Sequence, residues 1–350
     1  MRATGRVAVL LAFCVIAPTA VRAQQGTNEV RIRLQAPDGA GVSGALVALL
    51  DSKDSVVAEG LSTEAGTRAL RAPPGAYRVR VRRIGYLPYL SGGITIPHGS
   101  EVVLRIESPR VALQGIVVNS RSECRRTDPD ARSLATVWEE IDKALKSSQL
   151  TLDDLAGIGR ARTYRKEVAS NGAVISADTT EFQIGDRRPF GAIDPESLAR
   201  NGYVIGDEQK GWHYFAPDDV VLLSEQFATT HCFHLVRESS RPGQIGVSFE
   251  PAPERKLPDV AGVLWVDEAT SELREIVFRF ENAKVFSRFG AGGFTRFRRM
   301  PSGSWIVDAW ELSAPRLELR QSQGSPGMLV SIGRIDNGGG ILDNTRPNFK

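Results

Sequence analysis

Short runs of alternating apolar and polar residues constrain this sequence more than any other feature. In the first of them, Val30, Ile32 and Leu34 alternate with charged or polar residues before the turn Pro37-Asp38-Gly39. Such alternation places successive side chains on opposite faces of a β-strand. Further runs of strand length follow to about residue 106, spaced roughly 8–12 residues apart by turn residues. The sequence therefore predicts an all-β sandwich of about seven strands.

The turn and strand beginning at Pro73 resemble a known family. Pro73-Pro74-Gly75-Ala76-Tyr77 leads into an alternating Arg/Val run and then Gly85-Tyr86, and is preceded by Gly41–Val47 and Thr63–Gly66. Together these residues look like the carboxypeptidase regulatory-like domain. The resemblance implies a transthyretin-like sandwich of the carbohydrate-binding-like fold, a non-catalytic accessory of peptidases, adhesins and outer-membrane transporters. We assign it residues 24–118.

The first 23 residues have the composition of a secretory signal peptide. Arg2 and Arg6 precede an apolar stretch from Val7 to Ala17 that is too short to span a bilayer. This segment holds three of the 44 basic residues and no acid, so the remaining chain has 41 basic and 41 acidic residues. Nothing in this balance indicates nucleic-acid binding. We expect export to the periplasm, the outer membrane or the exterior, with no integral membrane segment after cleavage.

Residues 119–154 are predicted to join two domains. Asp128-Pro129 is a typical helix start, and apolar residues then recur at helical spacing: Leu134, Val137, Trp138, Ile141 and Leu145. We expect their apolar stripe to pack on the second domain, with Glu139 and Lys143 paired on the outside. The preceding stretch from Leu113 to Arg121 is similar to the segment that joins such sandwiches to the plug of TonB-dependent outer-membrane receptors.

Residues 155–335 are predicted to form a second antiparallel β domain, followed by a flexible tail at 336–350. Asn171-Gly172 indicates a hairpin, and helices are expected from Asp194-Pro195 and from Pro217 to Phe227. The strands around Gly262–Asp267 and Gly303–Val307 resemble those of lipoprotein-carrier-like half-barrels, which implies a curved sheet able to hold an acyl chain or a partner. The expected fold class is therefore mainly β, with a seven-stranded sandwich, a linker helix and a curved antiparallel sheet with a few short helices.

Two groups of residues are candidates for binding. Aromatic residues in the second domain either line a ligand pocket or pack in its core: Trp212, Tyr214, Trp265, Trp305 and Trp310. Arg78, Arg80 and Arg82 share one face of a sandwich strand. This basic strip is either a solvated face or a contact for an anionic surface such as lipid head groups or acidic glycan.

The run from Thr230 to His234 places Cys232 between two histidines. It is open to three interpretations: half of a metal site, a nucleophile with its base, or one end of a disulfide. In a strand, Cys232 and His234 share one face while His231 lies on the other, so the two histidines do not converge on a metal. Cys14 leaves with the signal, and an exported compartment favours oxidation. We predict a Cys124–Cys232 disulfide, no metal and no cofactor.

No catalytic motif is present in the sequence. Gly-x-Ser-x-Gly, phosphate-loop, dinucleotide and Cys-x-x-Cys patterns are absent. His98 and Glu101 match the His-x-x-Glu spacing of zinc carboxypeptidases but fall in a turn of the sandwich. We predict a non-catalytic exported envelope protein that binds a glycan, lipid or protein ligand. The alternatives are an accessory part of a TonB-dependent outer-membrane uptake system and a hydrolase or peptidase-associated protein. Four further stretches, Glu123-Cys124-Arg125, Trp138-Glu139-Glu140, His231-Cys232-Phe233 and the Trp265 strand, resemble secreted proteins of Gram-negative bacteria that carry this domain. This resemblance over the whole length brings no known activity with it.

Overall fold

The computed structural model describes residues 28–116, 131–185, 189–191, 194–207, 211–283, 290–320 and 328–342. The predicted signal peptide and Cys124 lie outside these ranges. Within them the chain forms four helices: α1 (Ala131–Asp154), α2 (Pro195–Asn201), α3 (Asp219–Leu222) and α4 (Glu225–Thr230). None of these helices has the length and apolar character to cross a membrane.

Strands make up most of the described chain. They are β1 (Asn28–Gln35), β2 (Leu46–Leu50), β3 (Val56–Leu61), β4 (Thr67–Ala72), β5 (Gly75–Arg82), β6 (Tyr89–Ile96), β7 (Val102–Arg105), β8 (Arg160–Ala169), β9 (Val174–Gln183), β10 (Val204–Asp207), β11 (Gly211–Tyr214), β12 (His231–Val236), β13 (Gln244–Pro251), β14 (Asp259–Asp267), β15 (Leu273–Glu281), β16 (Gly292–Arg299), β17 (Trp305–Arg320) and β18 (Met328–Leu342). The predicted mainly β fold class is confirmed.

The first seven strands form two sheets with the order β4-β1-β7 and β3-β2-β5-β6. All pairs are antiparallel except β1 and β7, which run parallel. The alternating residues predicted to face inward do so, since Ile32, Leu34 and Val79 are fully buried between the sheets. The Tyr77 hydroxyl donates a hydrogen bond to the carbonyl of Pro73 at 2.9 Å, so the Pro-Pro-Gly-x-Tyr motif closes its own turn.

The second domain is built on one antiparallel sheet of nine strands, in the order β12-β13-β14-β15-β16-β17-β18-β8-β9. Strand β18 lies between β17 and β8 and so joins the late strands to the early hairpin. It continues to Leu342, whereas the sequence predicts a tail from residue 336. The glycines in this strand give space to aromatic rings, because a β-carbon at Gly339 would lie 2.6 Å from the indole of Trp310.

Helix α1 lies between the sandwich and the nine-stranded sheet. Its apolar residues Val137, Ile141 and Leu145 are fully buried in the core of the second domain, as the helical spacing predicts. Its polar residues face the sandwich through ion pairs that include Arg82–Asp142 at 2.5 Å, Lys146–Glu59 at 2.7 Å and Arg68–Asp154 at 3.2 Å. Both faces of the helix are therefore used, and the sandwich is held against the second domain.

The predicted outward pair of Glu139 and Lys143 is wrong. Lys143 is fully buried, and its ammonium donates to Glu140 Oε1 at 2.7 Å and to the carbonyl of Tyr86 at 2.9 Å. Glu140 also accepts the backbone N–H of Gly85 at 2.7 Å. Burial raises the pKa of Glu140 despite these partners. Helical spacing correctly identifies the apolar stripe, but it does not reveal that a second domain covers the polar face.

The short helices begin at side-chain caps. Asp194 accepts from the N–H of Ser197 at 2.9 Å, and Asp218 accepts from the N–H of Val221 at 2.9 Å. Ser224 caps α4 by accepting from the N–H of Phe227 at 3.1 Å. The single helix predicted from Pro217 to Phe227 is therefore two helices, because the hydroxyl of Ser224 starts a new one.

Candidate functional site

A cavity of about 400 Å³ lies on the helix-covered face of the nine-stranded sheet. Strands β15 to β18 form its floor, with β8 and β9 at one side. Two irregular segments cover it, residues 189–191 and the stretch from Tyr214 to Asp219 that leads into α3. Small-molecule sites in proteins have volumes of roughly 300–1,000 Å³, so this cavity is large enough for a ligand.

The floor and the cover of the cavity are mainly apolar. The floor side chains are Ile276, Phe278, Phe297, Val307, Trp310 and Leu312, and those of the cover include Phe190, Tyr214 and Phe215. Ring contacts hold the two layers together: the centroids of Phe190 and Trp310 are 5.0 Å apart, and those of Tyr214 and Phe280 are 5.5 Å apart. Burial raises the pKa of Tyr214 far above its ordinary value. Its phenol is therefore neutral at physiological pH.

The wall formed by β8, β9 and β18 is polar. The strand register places Arg165 opposite both Asn337 and Asp178, and Thr163 opposite Thr180. All five residues line the cavity. Because residues that pair across a sheet share one face, their side chains lie on the same face as the apolar floor. The cavity is thus amphipathic, with an apolar floor and a polar side wall.

A second cavity of about 520 Å³ continues the first toward the far end of β17. Arg165, Tyr214, Leu312 and Asn337 line both, so the two cavities adjoin, and we refer to them together as the groove. The indole of Trp212, on the β10–β11 hairpin, also lines this second part.

The structure separates the five aromatic residues that the sequence singles out. Trp212, Tyr214 and Trp310 line the groove. Trp265 and Trp305 are at most 2% exposed and pack within the sheet domain. Period-two alternation identifies aromatic residues in strands, but it does not indicate which face of the sheet lines a cavity. The same limitation hides Phe190, Phe278, Phe297 and Arg165, which carry no local motif.

The basic strip on β5 lies partly at the domain contact. Arg82 pairs with Asp142 on α1, and Arg78 pairs with Asp54 within the sandwich. The Nε atom of Arg80 is buried and makes no hydrogen bond. Two of these three guanidinium groups therefore already contact carboxylates of the protein.

The side chain of His231 belongs to a buried polar network away from the groove. Its Nε2 lies 3.1 Å from Asp259 Oδ1, and its ring stacks on Phe227 with centroids 4.0 Å apart. Asp259 also accepts from Arg255, whose guanidinium donates to the carbonyl of Ala199 at 2.7 Å. The network connects α4, β14 and α2, which gives this histidine a structural explanation.

Cys232 is buried in β12, next to but on the other face from His231. Nε2 of His234 lies 3.4 Å from Glu250. Since Cys124 lies outside the described residues, the Cys124–Cys232 disulfide stays a prediction. Across the part of the chain that the structure describes, no three His, Cys, Asp or Glu side chains are grouped as a metal site would require.

The zinc-like pair of the sandwich has ordinary local contacts. Glu101 accepts from Arg33 at 2.7 Å, while Nδ1 of the exposed His98 lies 2.8 Å from the carbonyl of Ser100.

In the segment similar to a receptor joint, Leu113 is fully buried in the core of the second domain. Residues 117–121 of that segment lie outside the described ranges.

Comparison with curated protein sequences finds no match. Among solved structures, the Bacillus anthracis TIE protein is similar at 9% identity and a TM-score of 0.21, covering 87% of this chain and 48% of its own. This chain thus spans about half the length of that protein. BcpA, the major pilin subunit of Bacillus cereus, is similar at 10% identity and a TM-score of 0.22, covering 91% of this chain and 96% of its own. A 9R-lipoxygenase from Cyanothece is similar at 9% identity and a TM-score of 0.18, and the match covers 92% of this chain and 44% of the lipoxygenase. These TM-scores are too low to support an argument.

The sequence profile of the carboxypeptidase regulatory-like domain matches residues 29–108. The match spans the two sandwich sheets and the Pro-Pro-Gly-x-Tyr turn, and the domain of this family is non-catalytic. It does not extend to α1 or to the nine-stranded sheet. Residues 29–108 are therefore a carboxypeptidase regulatory-like domain.

Proposed function

We propose that this chain is a non-catalytic exported binding protein whose ligand is an amphipathic small molecule with an acyl-type chain. The groove on the covered face of the nine-stranded sheet is the binding site. The sandwich acts as an adaptor that holds α1 in place against the sheet. Of the three ligand classes considered for the sequence, glycan, lipid and protein, the groove favours lipid.

One observation carries the proposal: an accessible cavity of about 400 Å³ is lined mainly by aromatic and aliphatic side chains. Burying apolar surface is worth about 25 cal/mol per Å², so an apolar chain entering this space is stabilised without specific polar contacts. The adjoining cavity of about 520 Å³ extends the available length. A glycan would instead leave most of its hydroxyl groups without partners against this floor.

The packing around α1 supports the assignment of an adaptor role to the sandwich. Lys143 and Glu140 join α1 to the Gly85-Tyr86 turn, which belongs to the regulatory-like domain. The opposite face of α1 contributes Val137 and Ile141 to the core that also contains the cavity floor. Loosening the sandwich should therefore loosen the support of the binding site. Export is part of the proposal and is supported by the signal-like composition of residues 1–23.

Calorimetric titration of the full chain with dodecanoate, dodecan-1-ol and a neutral trisaccharide tests this function. We expect both alkyl compounds to bind with one-to-one stoichiometry and the trisaccharide to give no heat. The variant Ala216→Phe places a ring in the cavity from its covering segment and should abolish alkyl binding.

The matched control is Ala177→Phe, on the exposed edge strand β9 and outside the residues lining the groove. It should leave binding unchanged. Equal affinity of the wild type and Ala216→Phe for dodecan-1-ol would refute the groove as the site. Failure of both alkyl compounds to bind the wild type would refute the proposed function.

A further inference from the structure

The groove is polarised in charge along its length. Asp178, Asp218, Asp219 and Glu311 line its first part, together with Arg165. The charged side chains lining its second part are Arg165 and Arg316, and no carboxylate lines that part among the described residues. Carboxylates therefore outnumber cations in the first part, and Arg165 lies where the two parts adjoin.

The two arginines are weakly engaged within the protein. Among the described residues, the carboxylate they share is that of Glu167, at 3.4 Å from Arg316 and 3.7 Å from Arg165. Arg165 also lies 3.4 Å from Asn337 Oδ1. Direct charge-assisted hydrogen bonds between nitrogen and oxygen are about 2.7–2.9 Å long, so these contacts are loose. The side chains of Arg165 and Arg316 are 51% and 41% exposed, which leaves them able to reorient.

The register of the sheet places both guanidinium groups on the groove side. Arg165 pairs with Asn337 across β8 and β18, and Arg316 pairs with Gly333 across β17 and β18. Each shares its face with Leu312, which pairs with Asn337 in the same strand ladder. A planar guanidinium offers two parallel donors that match a carboxylate or phosphate. The apolar floor thus ends at a pair of groups suited to an anionic headgroup.

We infer that the second part of the groove is an anionic-headgroup site, in which Arg165 and Arg316 bind the carboxylate or phosphate of an acyl ligand. The ligand's apolar chain then extends toward Trp310 and Phe297 in the first part. This inference rests on the proposed function and adds the charge of the ligand and its orientation. Glu167 competes with the ligand for the two arginines.

The test compares three ligands with the same alkyl chain: dodecanoate, dodecyl phosphate and dodecan-1-ol, titrated into the full chain. Arg316→Gln and Arg165→Gln should each weaken dodecanoate and dodecyl phosphate binding about tenfold, the loss expected from one charge-assisted hydrogen bond. Both variants should weaken dodecan-1-ol binding much less than binding of the two anions, because the alcohol carries no charge. Glu167→Gln should tighten binding of the two anions, since it removes the competing carboxylate. A preference for dodecyl phosphate over dodecanoate would identify the headgroup as phosphate, and the reverse as carboxylate.

The control is Arg279→Gln, which removes an arginine that pairs with Glu281 within β15 and does not line the groove. It should affect none of the three ligands. If dodecan-1-ol binds and the arginine variants change the affinity of neither anion, the headgroup site is refuted while the proposed function stands. If no alkyl compound binds the wild type, the proposed function itself fails.

Discussion

Replacement of Lys143 by Met should destabilise the protein strongly although no ligand contact is lost. Lys143 is fully buried and holds the carboxylate of Glu140 at 2.7 Å. Met matches the length of the side chain but leaves Glu140 with the N–H of Gly85 as its remaining hydrogen-bond donor in the described structure. Removing one partner of a buried ion pair costs about 3–5 kcal/mol. Urea denaturation followed by circular dichroism should show a loss of this size.

The pH dependence gives this prediction a second readout. Burial already raises the pKa of Glu140, and losing the nearest cation raises it further. The folded state then holds more protons on this group than the unfolded state does. Stability consequently falls as the pH rises from the unfolded pKa of about 4.3 toward the folded pKa. Lys143→Met should therefore be destabilised more at pH 7 than at pH 5.

The double variant Glu140→Gln with Lys143→Met is the matched control. Its amide still accepts the N–H of Gly85, and no charge is buried, so its stability should lie within about 1 kcal/mol of the wild type. A cost below about 1 kcal/mol for Lys143→Met alone would contradict the burial of this pair between α1 and the sandwich.

Three further outcomes follow from the sequence and the structure. If the Cys124–Cys232 disulfide forms, the native, unreduced protein should show no free thiol on labelling, and labelling of Cys232 without reduction would refute the bridge. Cys124→Ser should then lose up to about 4.7 kcal/mol in urea unfolding, the value for a closed loop of about 100 residues. Gly339→Ala should lower stability in urea unfolding by about 1–3 kcal/mol, because its β-carbon would lie 2.4 Å from a backbone carbonyl oxygen. A β-carbon at Gly92 meets nothing within 4 Å, so Gly92→Ala should be neutral in the same experiment. Asp259→Ala should cost about 3 kcal/mol or more in urea unfolding, since it leaves the largely buried Arg255 without its carboxylate. A loss under about 1 kcal/mol would argue against that network.

The sequence predicts the strands of this protein well because alternation and turn residues act locally. The seven sandwich strands and the hairpin at Asn171-Gly172 lie where period-two runs and turn chemistry place them. The sequence pattern does not predict where β18 ends, because the contact that determines its end joins residues far apart in the sequence. Gly338 to Gly340 has the composition of a loose end, yet Gly339 is required in a strand because Trp310 occupies the space of its side chain.

The groove is only partly predictable from the sequence. Aromatic residues in strands identify Trp310 and Tyr214 as candidates, but alternation alone does not distinguish them from the buried Trp305. Arg165 and Arg316 are separated by about 150 residues in the sequence, and only the pairing of β8 and β17 with β18 brings them together. Such a site leaves no motif, since its spacing is set by strand order rather than by chain distance.

A diffraction experiment on crystals of the full chain grown with dodecanoate tests the proposed binding site most directly. We expect electron density for one alkyl chain between Trp310 and Tyr214, with its carboxylate at Arg165 and Arg316. A groove filled by the protein's own side chains, or dodecanoate bound elsewhere on the surface, would contradict it.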